Sequence, residues 1–189
     1  FFVNYERFLE SMDETLRQHS GEPVYFFSGY DCDSLALDDI TGFVRGFLPV
    51  FRQHPRAFLE LRTKSAQIRA LMDEEPIDNC VVAFSMSPDV VAKAVEDKTP
   101  SVRARLSAMK KLAERGWRLG LRFDPLIYHE GFRESYADLF RAVFEAIPMS
   151  AVHSVSLGPL RFPRKMFDTI ARLYPEERLF AGPLETVGS

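Results

Sequence analysis

Residues 57–62 read Ala57-Phe58-Leu59-Glu60-Leu61-Arg62 (AFLELR), an apolar run of strand length, and a helix signal follows directly. Ser65 is placed to cap a short helix whose apolar stripe is Ile68, Leu71 and Met72. The same couplet recurs in both directions along the chain. Upstream, Val24, Tyr25, Phe26 and Phe27 read as a buried strand; Asp38 or Asp39 can cap the next helix, with Ile40, Phe43, Val44 and Phe47 inward. Pro49 is expected to kink or shorten that helix, because proline lacks an N–H and its ring collides with the preceding turn. Before all of this, Asn4 can cap a helix carrying Tyr5, Phe8, Leu9, Met12 and Leu16, which Gly21 and Pro23 end.

Downstream, Cys80 to Phe84 is a third strand. Thr99-Pro100 supplies an N-cap with proline at the first helical position, and Val102, Leu106, Met109, Leu112 and Ala113 keep helical spacing until Gly116. Leu119 to Phe123 and Val152 to Leu157 are the fourth and fifth strands. Tyr136, Leu139, Phe140, Val143, Phe144 and Ile147 form the stripe between them, closed by Pro148; Met166, Phe167, Ile170 and Leu173 form a final one. Five strands alternating with about six helices define an α/β chain with a parallel sheet and right-handed crossovers. Alternation alone does not choose between an open doubly wound sheet and part of a (β/α) barrel.

The chain has 189 residues, 46% hydrophobic and 27% charged, which fits one globular domain over 1–189 and excludes wholesale disorder or a collagen-like repeat. Its formal charge of -3 gives no general basic field for nucleic acid, though a local basic groove is compatible with it. No apolar run approaches the ~20 residues of a membrane span. Two cysteines, Cys32 and Cys80, make no disulfide framework, and nothing resembles a signal peptide, so a cytoplasmic location is expected. The chain opens on Phe1, and we expect it to be a piece of a longer protein.

Polar residues gather just after each strand: Ser28-Gly29-Tyr30-Asp31-Cys32-Asp33, Thr63-Lys64-Ser65, Ser85-Met86-Ser87, Arg122 with Asp124, and Gly158 through Arg161. In parallel α/β architectures the carboxyl ends of strands are where ligands bind. There is no GxGxxG, Walker A lysine, HExxH, GxSxG or CxxC, and the four histidines have no metal-ligand spacing, with surface or capping roles expected for His19 and His54. Cys80 reads as a buried strand residue. Lys64 at a strand end can pair a carboxylate or phosphate, form a Schiff base, or make a salt bridge to Glu60, Asp31 or Asp33. Asp124 is expected in an ion pair inside the same face.

Several short stretches together resemble the spore photoproduct lyase family of the radical S-adenosylmethionine superfamily. They are Phe2-Val3-Asn4-Tyr5-Glu6, Leu61-Arg62-Thr63-Lys64, Phe84-Ser85, Glu96 with Thr99-Pro100-Ser101, Gly120-Leu121 through Pro125, His129-Glu130-Gly131, and Arg161-Phe162. Each is weak alone; their order and near gap-free spacing make the match specific.

The resemblance implies a partial (β/α) barrel holding S-adenosylmethionine and a 4Fe-4S cluster at its mouth. The family's CxxxCxxC cluster motif is not in this chain, so its first strand and all cluster ligands are expected upstream of Phe1, and the chain alone is expected to be inactive. By the same resemblance Ser28, Gly29, Lys64 and Ser85 line the S-adenosylmethionine site. The family's hydrogen-donor cysteine falls on Tyr30, with Cys32 two residues on; either is a candidate, or the reaction has changed. Arg122, Arg161, Arg164 and Lys165 are the substrate-binding candidates, the last three forming a compact basic group. The family's C-terminal DNA-contacting portion is expected to be missing or altered beyond Leu184.

The implied function is reductive cleavage of S-adenosylmethionine to a 5′-deoxyadenosyl radical and repair of thymine photodimers in DNA. Two other readings stay open: a non-catalytic nucleotide-binding module, and a clusterless barrel enzyme using Lys64 with Asp31 or Asp33.

Overall fold

A computed structural model describes residues 4–29, 32–181 and 184–185. Its five strands are β1 (Val24–Ser28), β2 (Ala57–Thr63), β3 (Cys80–Ser85), β4 (Arg118–Leu126) and β5 (Val152–Pro159). Every neighbouring pair is parallel, and the spatial order is β1-β2-β3-β4-β5. A doubly wound sheet must reverse its strand order part-way; this one never does. With crossovers of one hand, unreversed order sends every connecting helix to the same side. The result is a half-barrel with helices outside and a concave inner face left bare.

Among the described residues eight helices accompany the strands, where about six were expected: α1 (Tyr5–Gln18), α2 (Asp38–Thr41), α3 (Phe43–Gln53), α4 (Arg69–Asp73), α5 (Asp89–Val95), α6 (Val102–Arg115), α7 (Phe132–Ala146) and α8 (Arg164–Leu173). One extra helix comes from Gly42, whose φ of 62° splits the expected single helix into α2 and α3. The split resets the helical phase, so Ile40 is 75% exposed instead of inward. Asp38 still caps, but it caps α3, its buried carboxylate accepting the Val44 N–H at 3.0 Å. Helix α3 runs through Pro49 to Gln53 without ending. The other extra helix, α5, is only seven residues long and starts at Asp89 just after Pro88.

Three more capping expectations shift. Ser101, not Thr99, caps α6, accepting the Ala104 N–H at 3.2 Å. Ser65 accepts from the Gln67 N–H, one turn before α4 begins. Asn4 occupies the N-cap position of α1, but its side chain makes no capping hydrogen bond.

The core lies between sheet and helices. Leu59, Leu61, Val82, Phe84, Leu119, Leu121 and Phe123 point outward from β2, β3 and β4 and are essentially sealed. Trp117 is fully buried beside them, its indole N–H donating to the Leu71 carbonyl at 3.1 Å. Strand β1 is not the buried strand its composition suggests: Tyr25 and Phe27 are 51% and 57% exposed because they face the bare concave side at the sheet edge. Among the described residues no helix is long and apolar enough to cross a membrane.

Candidate functional site

Parallel register fixes which side chains share the concave face, since paired residues of adjacent strands point the same way. Phe27 pairs with Glu60 and Glu60 with Val81; Arg62 pairs with Ala83, Ala83 with Gly120 and Gly120 with Ser154; Ser85 pairs with Arg122 and Arg122 with Ser156. The middle of this face is charged. Arg122 Nη2 donates to Glu60 Oε2 at 2.6 Å and Arg122 Nε to Oε1 at 3.2 Å, while Arg62 donates to Oε1 from Nε (3.2 Å) and Nη2 (3.0 Å). Ser154 Oγ accepts a further bond from Arg122 Nη2 at 3.0 Å. Burial by itself would raise the Glu60 pKa, but hydrogen bonds and charge from Arg122 and then Arg62 outweigh it and hold the carboxyl below its ordinary value.

Glu60 and Arg122 sit on strands that are not neighbours, so the guanidinium must cross β3. Small residues permit it. A Cβ on Gly120 would stand 2.9 Å from the Arg122 guanidinium and 2.9 Å from the Ala83 side chain. The face opens into a cavity of about 730 Å³ that Phe27, Glu60, Arg62, Arg122, Asp124, Ser154, Ser156 and Arg161 help to line. The sequence reading put Arg122 there but expected an ion pair at Asp124. Instead Arg122 is spent on Glu60, and Asp124 is exposed with no hydrogen bond or ion pair among the described residues.

A second network stands at the carboxyl ends of β2 and β3. Among the described residues Lys64 does not pair with Glu60 or Asp33 through its ammonium; its Nζ donates to Glu96 Oε1 at 2.8 Å. Glu96 also receives the Ser87 hydroxyl (3.1 Å) and the guanidinium of fully buried Arg105. Arg105 donates onward to the Ser85 carbonyl at 3.0 Å, which pins the end of β3. Burial pushes the Glu96 pKa up, but Lys64 and Arg105 more than offset this and leave it low. Two cations on one carboxylate leave a net positive charge, and because Arg105 is sealed, Lys64 is the group that presents it to solvent. The Ser85 hydroxyl has no hydrogen-bond partner among the described residues, although the residue is buried.

At the end of β1, Gly29 has φ 82°, and a Cβ there would lie 2.6 Å from Ser34 Oγ and 2.7 Å from the Arg62 carbonyl. The chain's own turn therefore demands this glycine. Asp33 ties that turn to β2: Oδ1 accepts from the Leu35 and Ala36 N–H groups and the Thr63 hydroxyl, and Oδ2 from the Lys64 N–H at 2.7 Å. A carboxylate so committed leaves no Lys64–Asp33 pair for acid–base work. Cys32 is an exposed free thiol lining a separate apolar cavity of about 630 Å³, shared with Ser28, Gly29, Tyr5, Phe43 and Phe47. Tyr30 and Asp31 lie outside the described residues.

Arg161 lines the concave cavity. Arg164 and Lys165 fall in the first turn of α8, exposed and without an ion pair among the described residues. Cations there oppose the helix dipole, so the helix itself gives no reason for them. His19 and His54 stand at the C-caps of α1 and α3. Sequence reasoning missed Arg62 and Glu60 as site residues, although their i, i+2 spacing in a strand was a usable signal. Ser87 was placed in the polar group after β3, but nothing marked Arg105, which meets the same Glu96 from nine residues further along the chain.

Among the described residues no group of three or more His, Cys, Asp or Glu side chains could hold a metal ion. The chain has two cysteines, and Cys80 is wholly buried with its thiol pKa pushed far up by burial. These residues do not fit a three-thiolate cluster. For S-adenosylmethionine the fit is better: an open hydroxyl at Ser85 and a net cationic Lys64 stand at adjacent strand ends.

A half-barrel of five parallel strands with a polar, helix-free inner face defines this as a partial (β/α)-barrel protein. The chain belongs to the spore photoproduct lyase family, whose model matches residues 1–182. It is 27% identical over 180 residues to spore photoproduct lyase of Bacillus subtilis and 23% identical over 181 residues to that of a Geobacillus species, covering 94% of this chain and 53% of each relative. The chain thus spans about half the length of the curated relatives it matches. A spore photoproduct lyase double mutant with bound AdoMet and dinucleoside spore photoproduct shares the fold, with a TM-score of 0.85 at 23% identity over 94% of this chain and 53% of that one.

Proposed function

We propose that this chain is the barrel portion of a radical S-adenosylmethionine lyase that repairs thymine photodimers in DNA. The family match along residues 1–182 carries the reading. The polar carboxyl ends of the strands support it, as does the relative solved with AdoMet and a dinucleoside lesion. Ser28 and Gly29 bring backbone to the methionine moiety, Lys64 engages its carboxylate, and Ser85 bonds its polar edge. When bound, the cofactor supplies the hydrogen-abstracting 5′-deoxyadenosyl group. Arg122 and Arg161 face the substrate, and Arg164 and Lys165 steer DNA from α8. Cys32 or Tyr30 returns hydrogen to the product. The two cysteines of this chain do not supply the three cluster thiolates, and the chain by itself does not turn over.

Two measurements test this. S-adenosylmethionine titrated calorimetrically into the chain should bind, with Lys64→Ala weakening it about tenfold, the scale of a charge-assisted hydrogen bond. The codons preceding Phe1 should encode the cysteine triplet, and the longer polypeptide, reconstituted anaerobically, should release 5′-deoxyadenosine. An upstream reading frame without three such cysteines would overturn the proposal.

A further inference from the structure

The Arg62–Glu60–Arg122 group has no packing role that an apolar trio would not fill at less cost. Glu60 and Arg122 are 7% and 6% exposed, and removing two such charges from water costs several kcal/mol per ion, which their mutual attraction recovers only with near-ideal geometry. They stand on the face that no helix covers, and the strand between them carries Ala83, with Gly120 beyond it, so that one guanidinium can cross. Donors are left over. Arg62 Nη1 has no partner among the described residues, and Arg122 Nη1 has only two carbonyl contacts, at 3.4 Å each. Arg161, by contrast, lines the same cavity but is exposed and has no ion pair among the described residues.

This division sorts ligand chemistry by depth. The two guanidiniums share one carboxylate and keep a net positive charge, but the group is sunk in the floor, where a phosphate would have to shed its water to reach it. The pair is instead a good, rigid donor to neutral carbonyl oxygens, for which desolvation is cheap. An unpaired exposed arginine is the reverse. We infer that Arg62 and Arg122, held in place by Glu60, form the floor of the substrate site and donate to base carbonyls of an inserted pyrimidine lesion, while Arg161 takes the phosphate at the rim. Glu60 acts as a positioning residue. The inference rests on the substrate reading above and adds which groups of the lesion each arginine meets. A lesion entering base-first, as nucleotides do when they leave a stack, presents its carbonyl edges to the floor and its backbone to the mouth.

The test uses two probes with the purified chain: the dinucleoside photoproduct, which has no phosphate, and its phosphodiester-linked dinucleotide. Arg62→Gln should weaken both about tenfold, the worth of one hydrogen bond to a charged donor. Arg161→Gln should weaken only the dinucleotide, by up to about fivefold. Glu60→Gln should weaken both, and combined with Arg62→Gln should add little, because both act through the same donors. Arg62→Lys keeps the charge without the fork and should not restore binding, which covers the case of Arg62→Gln failing to fold. Unchanged dinucleoside affinity in Arg62→Gln, or an equal loss of both probes in Arg161→Gln, overturns the inference alone. No binding of either probe by the unsubstituted chain overturns the substrate reading and the inference with it.

Discussion

Arg122 Nη2 reaches Glu60 Oε2 at 2.6 Å across an intervening strand, so β2 and β4 are tied by charge over the bare face as well as through β3. Deleting one partner should cost far more than the pair is worth. Glu60→Ala leaves Arg122 buried without a counter-charge, and a loss of about 3–5 kcal/mol is expected by urea unfolding. Gly120→Val should be comparably harmful through sterics, since any side chain there displaces the guanidinium from its path over Ala83.

The two depressed glutamates set the acid limit of the fold. Glu60 and Glu96 both titrate below the ordinary value of 4.5 when folded. Each therefore contributes stability that is complete above that value and is lost as pH falls through the lower folded pKa, because the unfolded chain takes up the proton first. The urea midpoint should drop steeply on the acid side of 4.5. Glu96→Gln should be less stable at neutral pH and show a shallower acid decline.

Lys64 separates stability from binding. Its side chain is 37% exposed, and an ion pair of that kind contributes about 1 kcal/mol or less. Lys64→Ala should barely move the melting temperature while weakening S-adenosylmethionine binding. Arg105→Ala should unfold the protein more readily, since Glu96 and the Ser85 carbonyl both lose a buried donor.

The half-barrel was legible because its strands are contiguous: each apolar run from Val24 to Leu157 lies in a strand, with starts matching to within one residue and C-terminal ends extended by one to three. Helix interiors read less well wherever a single residue resets the phase, as Gly42 does to Ile40. At the site, what could be read was position along the chain. Lys64, Ser85 and Arg122 were recognisable as strand-end or face residues from local pattern alone. Their partners were not, because Glu60 lies 62 residues from Arg122 and Glu96 lies 32 from Lys64, and nothing in a local window encodes such contacts.

Gly29 and Gly42 both have positive φ, but they should respond differently to alanine. Nothing lies within 4 Å of a Cβ on Gly42, so Gly42→Ala carries only the left-handed backbone cost of about 1–2 kcal/mol. Gly29→Ala adds overlap with the Arg62 carbonyl at 2.7 Å and Ser34 Oγ at 2.6 Å, which the turn cannot relieve without shifting β2. It should be the more destabilised of the two in urea. It should also bind S-adenosylmethionine less well, where Gly42→Ala binds normally.

The two cysteines should be separable by reactivity. Cys32 is exposed beside the apolar cavity; Cys80 is sealed in β3, where burial raises its thiol pKa and no reagent can approach without unfolding. A disulfide reagent at neutral pH should therefore modify one thiol quickly and the second only in denaturant. Cys32→Ser should abolish the fast phase and leave the slow one. Because Cys32 shares its cavity with Ser28 and Gly29, bound S-adenosylmethionine should slow the fast phase. A fast phase unchanged by saturating cofactor would remove Cys32 from the cofactor's surroundings, and with it the case for this thiol as the hydrogen donor.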